Sequence, residues 1–315
     1  MQKFEEKIEE TFRAHLEGHP FWLALKQENP VAFHAVRETL LVPGKRVRPL
    51  LFCTACRAAG LEPFPNLAPV ALALELAHSF ILVHDDIVDR SAMRRGRLTL
   101  PAKLRQLFAQ NPSDGFTGDD FALVTGDLLY TLAIESLLQA EATDAQKTEA
   151  VRLFTRAAFD TGRGALLEMR AAQTPLAELT VEEIEKIYAL KTGTYTFTLP
   201  LQLAAVFSRK SVALAEEDNP WDLPKSGQSS ESAESISTLG KHAGIAFQLR
   251  NDQKDLADDL RDGRRTWALV HADSEAAGDA ATKAAVEHAQ AEHAHRALEF
   301  IQVPELAALV QRALS

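Results

Sequence analysis

The stretch Phe80 to Gly96, Phe-Ile-Leu-Val-His-Asp-Asp-Ile-Val-Asp-Arg-Ser-Ala-Met-Arg-Arg-Gly, constrains this chain more than any other. It opens as an apolar helical run, and if the helix continues, Asp85 and Asp89 lie one turn apart with Asp86 beside them. Carboxylates at the mouth of an apolar segment are expensive to bury unpaired, so a fold that keeps them there must supply cations. Hard oxygen ligands of this kind suit Mg²⁺. Arg94 and Arg95 follow at once, and guanidinium groups that fork around phosphate oxygens beside such carboxylates read together as a diphosphate site. The competing reading is a solvated acidic helix end, and the choice depends on whether the rest of the chain supplies matching parts.

The rest of the chain is helical in its periodicity. Residues 3–18 and 31–41 are helical, broken at His19-Pro20 and Asn29-Pro30. Two helices are expected at 50–60 and 65–90, the second ending in the aspartates, and further ones near 101–109, at 121–140 and at 144–170. Gly162 and Gly164 inside the last of these imply close helix packing or room for a ligand. Thr180 and Glu183 form a capping box for a helix through Tyr188. A second acidic helix spans 238 to about 259, followed by helices at 280–299 and 303–313. No alternating strand pattern of useful length occurs, so the fold class is all-α. At 315 residues, with no linker that forces a division, one helical domain over 1–315 is expected, with a solvated acidic and Ser-rich loop at 211–235.

The formal net charge of −10 argues against nucleic acid as a partner and against a polybasic membrane anchor. No window approaches the roughly 20 apolar residues of a membrane span, and the N-terminus has no apolar leader, so a cytoplasmic location is expected. Cys53 and Cys56 form a C-x-x-C pair in an apolar helical run with no second pair to complete a metal site, which favours core thiols over redox chemistry.

Three cations in four residues, Lys45, Arg46 and Arg48, enter a helix after Pro43-Gly44 and are either a solvated turn or an anion grip. His78 stands two helical turns before Asp85 on the same face. Lys191-Thr192 places a cation and a hydroxyl in an apolar stretch, where a charge is paired or functional. Asp252, Asp255 and Asp259 recur on one face of the second acidic helix, with Gln248 and Asn251 adjoining and Arg264-Arg265 after its end. Acidic side chains along a helix followed by a basic pair thus occur twice.

In order and spacing, the set Gly44-Lys45-x-x-Arg48-Pro49, His84-Asp85-Asp86-x-x-Asp89, Arg94-Arg95-Gly96, Gly126-Asp127, Lys191-Thr192 and Phe247-Gln248-x-x-Asn251-Asp252-x-x-Asp255 resembles the trans-isoprenyl diphosphate synthases. It is most similar to the branch that makes farnesyl or geranylgeranyl diphosphate. The resemblance implies an all-α isoprenoid synthase bundle with a deep central cavity, usually a homodimer, that joins isopentenyl diphosphate to an allylic diphosphate. It implies that Asp85, Asp89 and Asp252, supported by Asp86 and Asp255, hold about three Mg²⁺ ions on the allylic diphosphate. By the same resemblance Arg94, Lys191 and Arg264 would complete that clamp. The resemblance further implies that Lys45, Arg48, His78 and Arg95 bind isopentenyl diphosphate and that Thr192 and Gln248 line the space where the allylic cation develops. Phe80 and Ile81, five and four residues before Asp85, are the expected chain-length determinants, favouring a geranylgeranyl (C20) over a farnesyl (C15) product.

Three features depart from the family pattern. Asn251 replaces the first aspartate of the second motif, a Gly-Lys segment after it is missing, and Ala165 and Glu168 stand where Gln and Asp are common. These keep three alternatives in view: prenyl transfer to another acceptor such as a peptide, a non-catalytic modulating subunit, and a terpene cyclase. The intact basic set at 45, 48, 78 and 95 argues against the first and third, and the retained aspartates argue against the second.

Overall fold

The computed structural model describes residues 2–42, 44–94, 96–110, 115–208, 231–262, 264–271 and 280–314, with the backbone alone at 2–4, 32, 231–233 and 255–262. The chain forms two compact units, residues 1–50 with 63–141, and residues 51–62 with 142–315. Among the described residues, regular structure is helical apart from one two-residue ladder.

The first unit holds α1 (Gln2–Gly18), α2 (Pro20–Glu28), α3 (Pro30–Leu40), the start of α4 (Val47–Ala58), α5 (Ala68–Val88), β1 (Met93–Arg94), β2 (Arg97–Leu98), α6 (Leu100–Ala109) and α7 (Gly118–Leu138). Proline opens α2 and α3 because its missing N–H falls where a helix has no use for one. The His19 ring accepts the Phe21 N–H as the cap of α2. α5 is buried almost continuously from Ala68 to Ala77 and packs along α7. The ladder pairs Met93 with Leu98 and Arg94 with Arg97, turning at Gly96, whose φ of +72° is open to glycine without strain. No strand was expected here, because a two-residue ladder has no alternation for a sequence to show. α7 is long and apolar enough to cross a membrane by length and composition, with 44% of that window buried inside the structure. The expectation of no such window is corrected on that point.

The second unit holds the rest of α4, then α8 (Asp144–Gln173), a 3₁₀ turn (Leu176–Glu178), α9 (Val181–Tyr188), a π-helical segment (Ala189–Thr198), α10 (Leu199–Ser208), α11 (Glu231–Asp262), α12 (Trp267–His271), α13 (Ala280–Glu299) and α14 (Pro304–Leu314). Thr180 and Glu183 make the expected reciprocal cap of α9. The core around α9 and α11 includes Ile184, Ile187, Tyr188, Ile245, Leu249 and Trp267. Cys53 and Cys56 are fully buried, and burial pushes the Cys56 thiol up to about 12, so these are inert core thiols. Of the loop expected at 211–235, residues 211–230 lie outside the described residues, and 231–235 are instead the opening of α11.

Glycines set close approaches around the π-helical segment. A Cβ at Gly244 would lie 2.3 Å from the Gly193 Cα, so α11 and the π-helical segment touch backbone to backbone. A Cβ at Gly164 would lie 2.7 Å from the Lys191 nitrogen, which fixes α8 against the same segment. Gly162 faces open space and has no such role.

Candidate active site

In the first unit the aspartates sit where α5 ends, with Asp89 as its C-cap. Their environments differ by helix geometry. Asp86 is turned inward and is 4% exposed, while Asp85 is half-buried and Asp89 exposed. Arg94, delivered by β1, donates its Nε to Asp86 Oδ1 at 2.9 Å, with Nη2 at 2.9 Å from the same oxygen and 3.5 Å from Asp85 Oδ2. Burial raises the Asp86 carboxyl above its usual range and the charges of Asp85 and Asp89 raise it further, while Arg94 opposes both. A hard divalent cation on the Asp85 and Asp89 side would offset the mutual repulsion of the three carboxylates. Among the described residues no group of three His, Cys, Asp or Glu forms a metal cage. Mg²⁺ is commonly held by one or two carboxylates plus substrate phosphate oxygens and does not require a cage, so this donor set fits it.

His84 explains the Gly126-Asp127 motif. A Cβ at Gly126 would stand 2.3 Å from His84 Nε2, so only glycine leaves room for the ring. The same Nε2 lies 3.3 Å from the Leu123 carbonyl oxygen and 3.6 Å from Asp127 Oδ1. Phe80 packs edge-on against His84 at 4.8 Å and tilted against Tyr130 of α7 at 5.1 Å. Phe80 and Ile81 are half-buried and lie outside the closed core.

The basic set divides by environment. Lys45 is exposed, Arg48 is buried in the first turn of α4 and His78 is half-buried on α5. Arg46 is a structural anchor instead. Its guanidinium bonds Glu9 Oε1 and Glu75 Oε1, both at 2.6 Å, and the Val42 carbonyl at 3.0 Å. Burial alone would lower its pKa, but the two carboxylates outweigh burial and raise it. Arg95 lies outside the described residues.

In the second unit, Lys191 and Thr192 occupy the π-helical segment, a backbone form that is rare and frequent at functional sites. Lys191 Nζ contacts Glu168 Oε2 at 2.6 Å, so the lysine expected on the diphosphate is paired with the residue that stands where the family commonly has Asp. Thr192 is buried. Gln248 Oε1 accepts from Asn251 Nδ2 at 3.1 Å, which ties the substituted position to the expected site residue. Asp252 is buried and its Oδ2 accepts from the Tyr188 hydroxyl at 2.5 Å. The Asp255 side chain lies outside the described residues, and Arg264 is exposed after α11. Tyr188, 64 residues from Asp252, is the contact that sequence reasoning missed, since nothing in its local pattern separates it from a core tyrosine.

The sequence model of the polyprenyl synthetase family matches residues 30–302. A geranylfarnesyl diphosphate synthase from Aeropyrum pernix is 30% identical over 244 residues, covering 73% of this chain and 66% of that protein. A (2E,6E)-farnesyl diphosphate synthase from Mycobacterium bovis is 28% identical over 246 residues, covering 73% of this chain and 58% of that protein. The chain thus spans 58 to 66% of the length of these two relatives. A geranylgeranyl pyrophosphate synthase from Corynebacterium glutamicum, solved with isoprenyl diphosphate and magnesium, superposes with a TM-score of 0.80 at 22% identity, covering 99% of this chain and 98% of that one.

Proposed function

Because the chain belongs to the polyprenyl synthetase family, we propose that it is a Mg²⁺-dependent prenyltransferase that condenses isopentenyl diphosphate with an allylic diphosphate into a short-chain (E)-prenyl diphosphate. The observation that carries this reading is the end of α5, which gathers Asp85, Asp86 and Asp89 at one helix end with Arg94 bound to the buried Asp86. Asp85 and Asp89 in the first unit, and Asp252 and Asp255 in the second, are the carboxylates assigned to Mg²⁺, with Asp86 in support. Bound there, about three Mg²⁺ ions would neutralise the diphosphate leaving group without proton transfer.

The chain's own residues do the rest. Arg94, Lys191 and Arg264 grip the allylic diphosphate, and for Lys191 this means exchanging half-exposed Glu168 for phosphate oxygens. Lys45, Arg48, His78 and Arg95 bind isopentenyl diphosphate without a metal. Thr192 and Gln248 offer dipoles but no strong nucleophile near the developing allylic cation, and apolar walls keep water from it. A proton is then lost to the departing pyrophosphate. Phe80 and Ile81 limit the product to C20 in preference to C15; the packing of Phe80 on Tyr130 supports this. A homodimer is part of the same reading, supported by the exposed Val124 and Leu128 one turn apart on α7.

The test is incubation with Mg²⁺, labelled isopentenyl diphosphate and each of dimethylallyl, geranyl and farnesyl diphosphates, reading product length. A C20 product is expected, and the absence of any elongated product overturns the reading. Phe80→Ala is expected to lengthen the product, and an unchanged product removes Phe80 from the argument.

A further inference from the structure

We infer that Tyr188 is a positioning residue that holds the Asp252 carboxylate and the start of α12, which follows Arg264 and Arg265, in one arrangement; this rests on the reading of Asp252 as a ligand for the Mg²⁺–diphosphate. The Tyr188 hydroxyl lies 2.5 Å from Asp252 Oδ2 and 3.1 Å from the backbone nitrogen of Trp267. The direction of both bonds follows from chemistry. An amide N–H can only donate, so the phenol oxygen accepts from Trp267, and its single proton goes to the carboxylate, which can only accept when ionised. Tyr188 and Asp252 are 5% and 7% exposed, so water does not compete for this bond.

A second contact from the same helix face strengthens the arrangement. Glu185, one turn before Tyr188 on α9, lies 3.3 Å from the Trp267 indole nitrogen and 3.3 Å from His293 Nε2. Trp267 is therefore pinned at its backbone and at its side chain, two residues after Arg265. The Thr266 N–H bonds the Arg264 carbonyl at 3.0 Å, which ties the arginine pair to that anchored point. One phenol thus links an aspartate on α11 with the segment that carries two guanidinium groups. A carboxylate held in one orientation by a partner behind it does not have to reorganise when it takes up a cation, and removing such partners typically weakens metal affinity or activity about 10- to 100-fold.

The test is Tyr188→Phe, which deletes the hydroxyl alone, read in two ways. The first is the rise in melting temperature of the full chain on titration with Mg²⁺ and inorganic pyrophosphate, a readout without turnover. The second is the split between kcat and the half-saturating Mg²⁺ concentration in prenyl transfer. At least a tenfold rise in half-saturating Mg²⁺ is expected in both, with kcat changed less than threefold. Asp252→Asn and the double variant close a cycle, in which the hydroxyl should have a much smaller effect on Mg²⁺ half-saturation once Asp252 is replaced, leaving only the loss of its Trp267 contact. Additive effects, or a lower melting temperature with unchanged Mg²⁺ half-saturation, overturn the inference and leave the proposed function standing. A wild-type chain that neither responds to Mg²⁺ with pyrophosphate nor elongates any allylic diphosphate overturns both.

Discussion

Arg46 and Arg48 are neighbours in one basic turn, and Arg46 is a structural anchor. Arg46 adopts φ +43°, a left-handed conformation that a non-glycine side chain adopts only when its surroundings compel it. The compulsion is visible, since the guanidinium is 7% exposed and meets Glu75, equally buried, and Glu9. Removing one member of a buried ion cluster leaves the others uncompensated, a loss of about 3–5 kcal/mol. Arg46→Met is therefore expected to lower the denaturant midpoint strongly, and Arg46→Lys should not restore it, because an ammonium cannot bridge two carboxylates in a fork. A loss of stability under about 1 kcal/mol would contradict the anchor role. The basic turn itself was legible in the sequence. Which of its cations is structural was not, because Glu75 and Glu9 stand 29 and 37 residues away.

At the scale of elements, the helices are fixed by local rules and their separations by glycine. The cap at Thr180, the proline starts of α2 and α3 and the apolar length of α5 all follow from short-range chemistry. The glycines could be read only as close packing or open room, and the structure separates the two cases. At Gly244 a methyl group would press on backbone atoms of the π-helical segment that cannot yield, 2.3 Å from the Gly193 Cα and 2.5 Å from its nitrogen. At Gly162 it would meet nothing within 4 Å. Gly244→Ala should thus lower the melting temperature, with the loss of about 1–3 kcal/mol or more of stability typical of an overpacked core. Gly162→Ala should raise it slightly, with a gain of about 0.5–1 kcal/mol of stability, because alanine is the better helix former. Thermal unfolding of the two single variants checks both signs. The π-helical segment was not foreseen, since a wider helical turn leaves no periodic mark over ten residues.

At the scale of the whole molecule, acid should loosen the first unit early. Burial, with His19 adding its charge, pushes His15 down to about 4, and His15 Nε2 is buried with no hydrogen-bond partner among the described residues. The unfolded chain takes up this proton near pH 6.5 while the folded chain resists it to about 4, so stability falls as pH drops through that window and is unaffected above it. Amide exchange in α1 should quicken between those limits, and less so in His15→Gln; identical pH profiles would exclude His15 as the cause. The sequence by itself determined the all-α class, both aspartate motifs and the family, because helical periodicity, caps and motif spacing are properties of neighbouring residues. Only the tertiary structure decided that Arg94 engages Asp86, that Lys191 rests on Glu168 and that Tyr188 holds Asp252. Those choices depend on which buried charge finds which distant partner. That is fixed by how helices pack, a matter of many weak contacts between residues far apart in the chain.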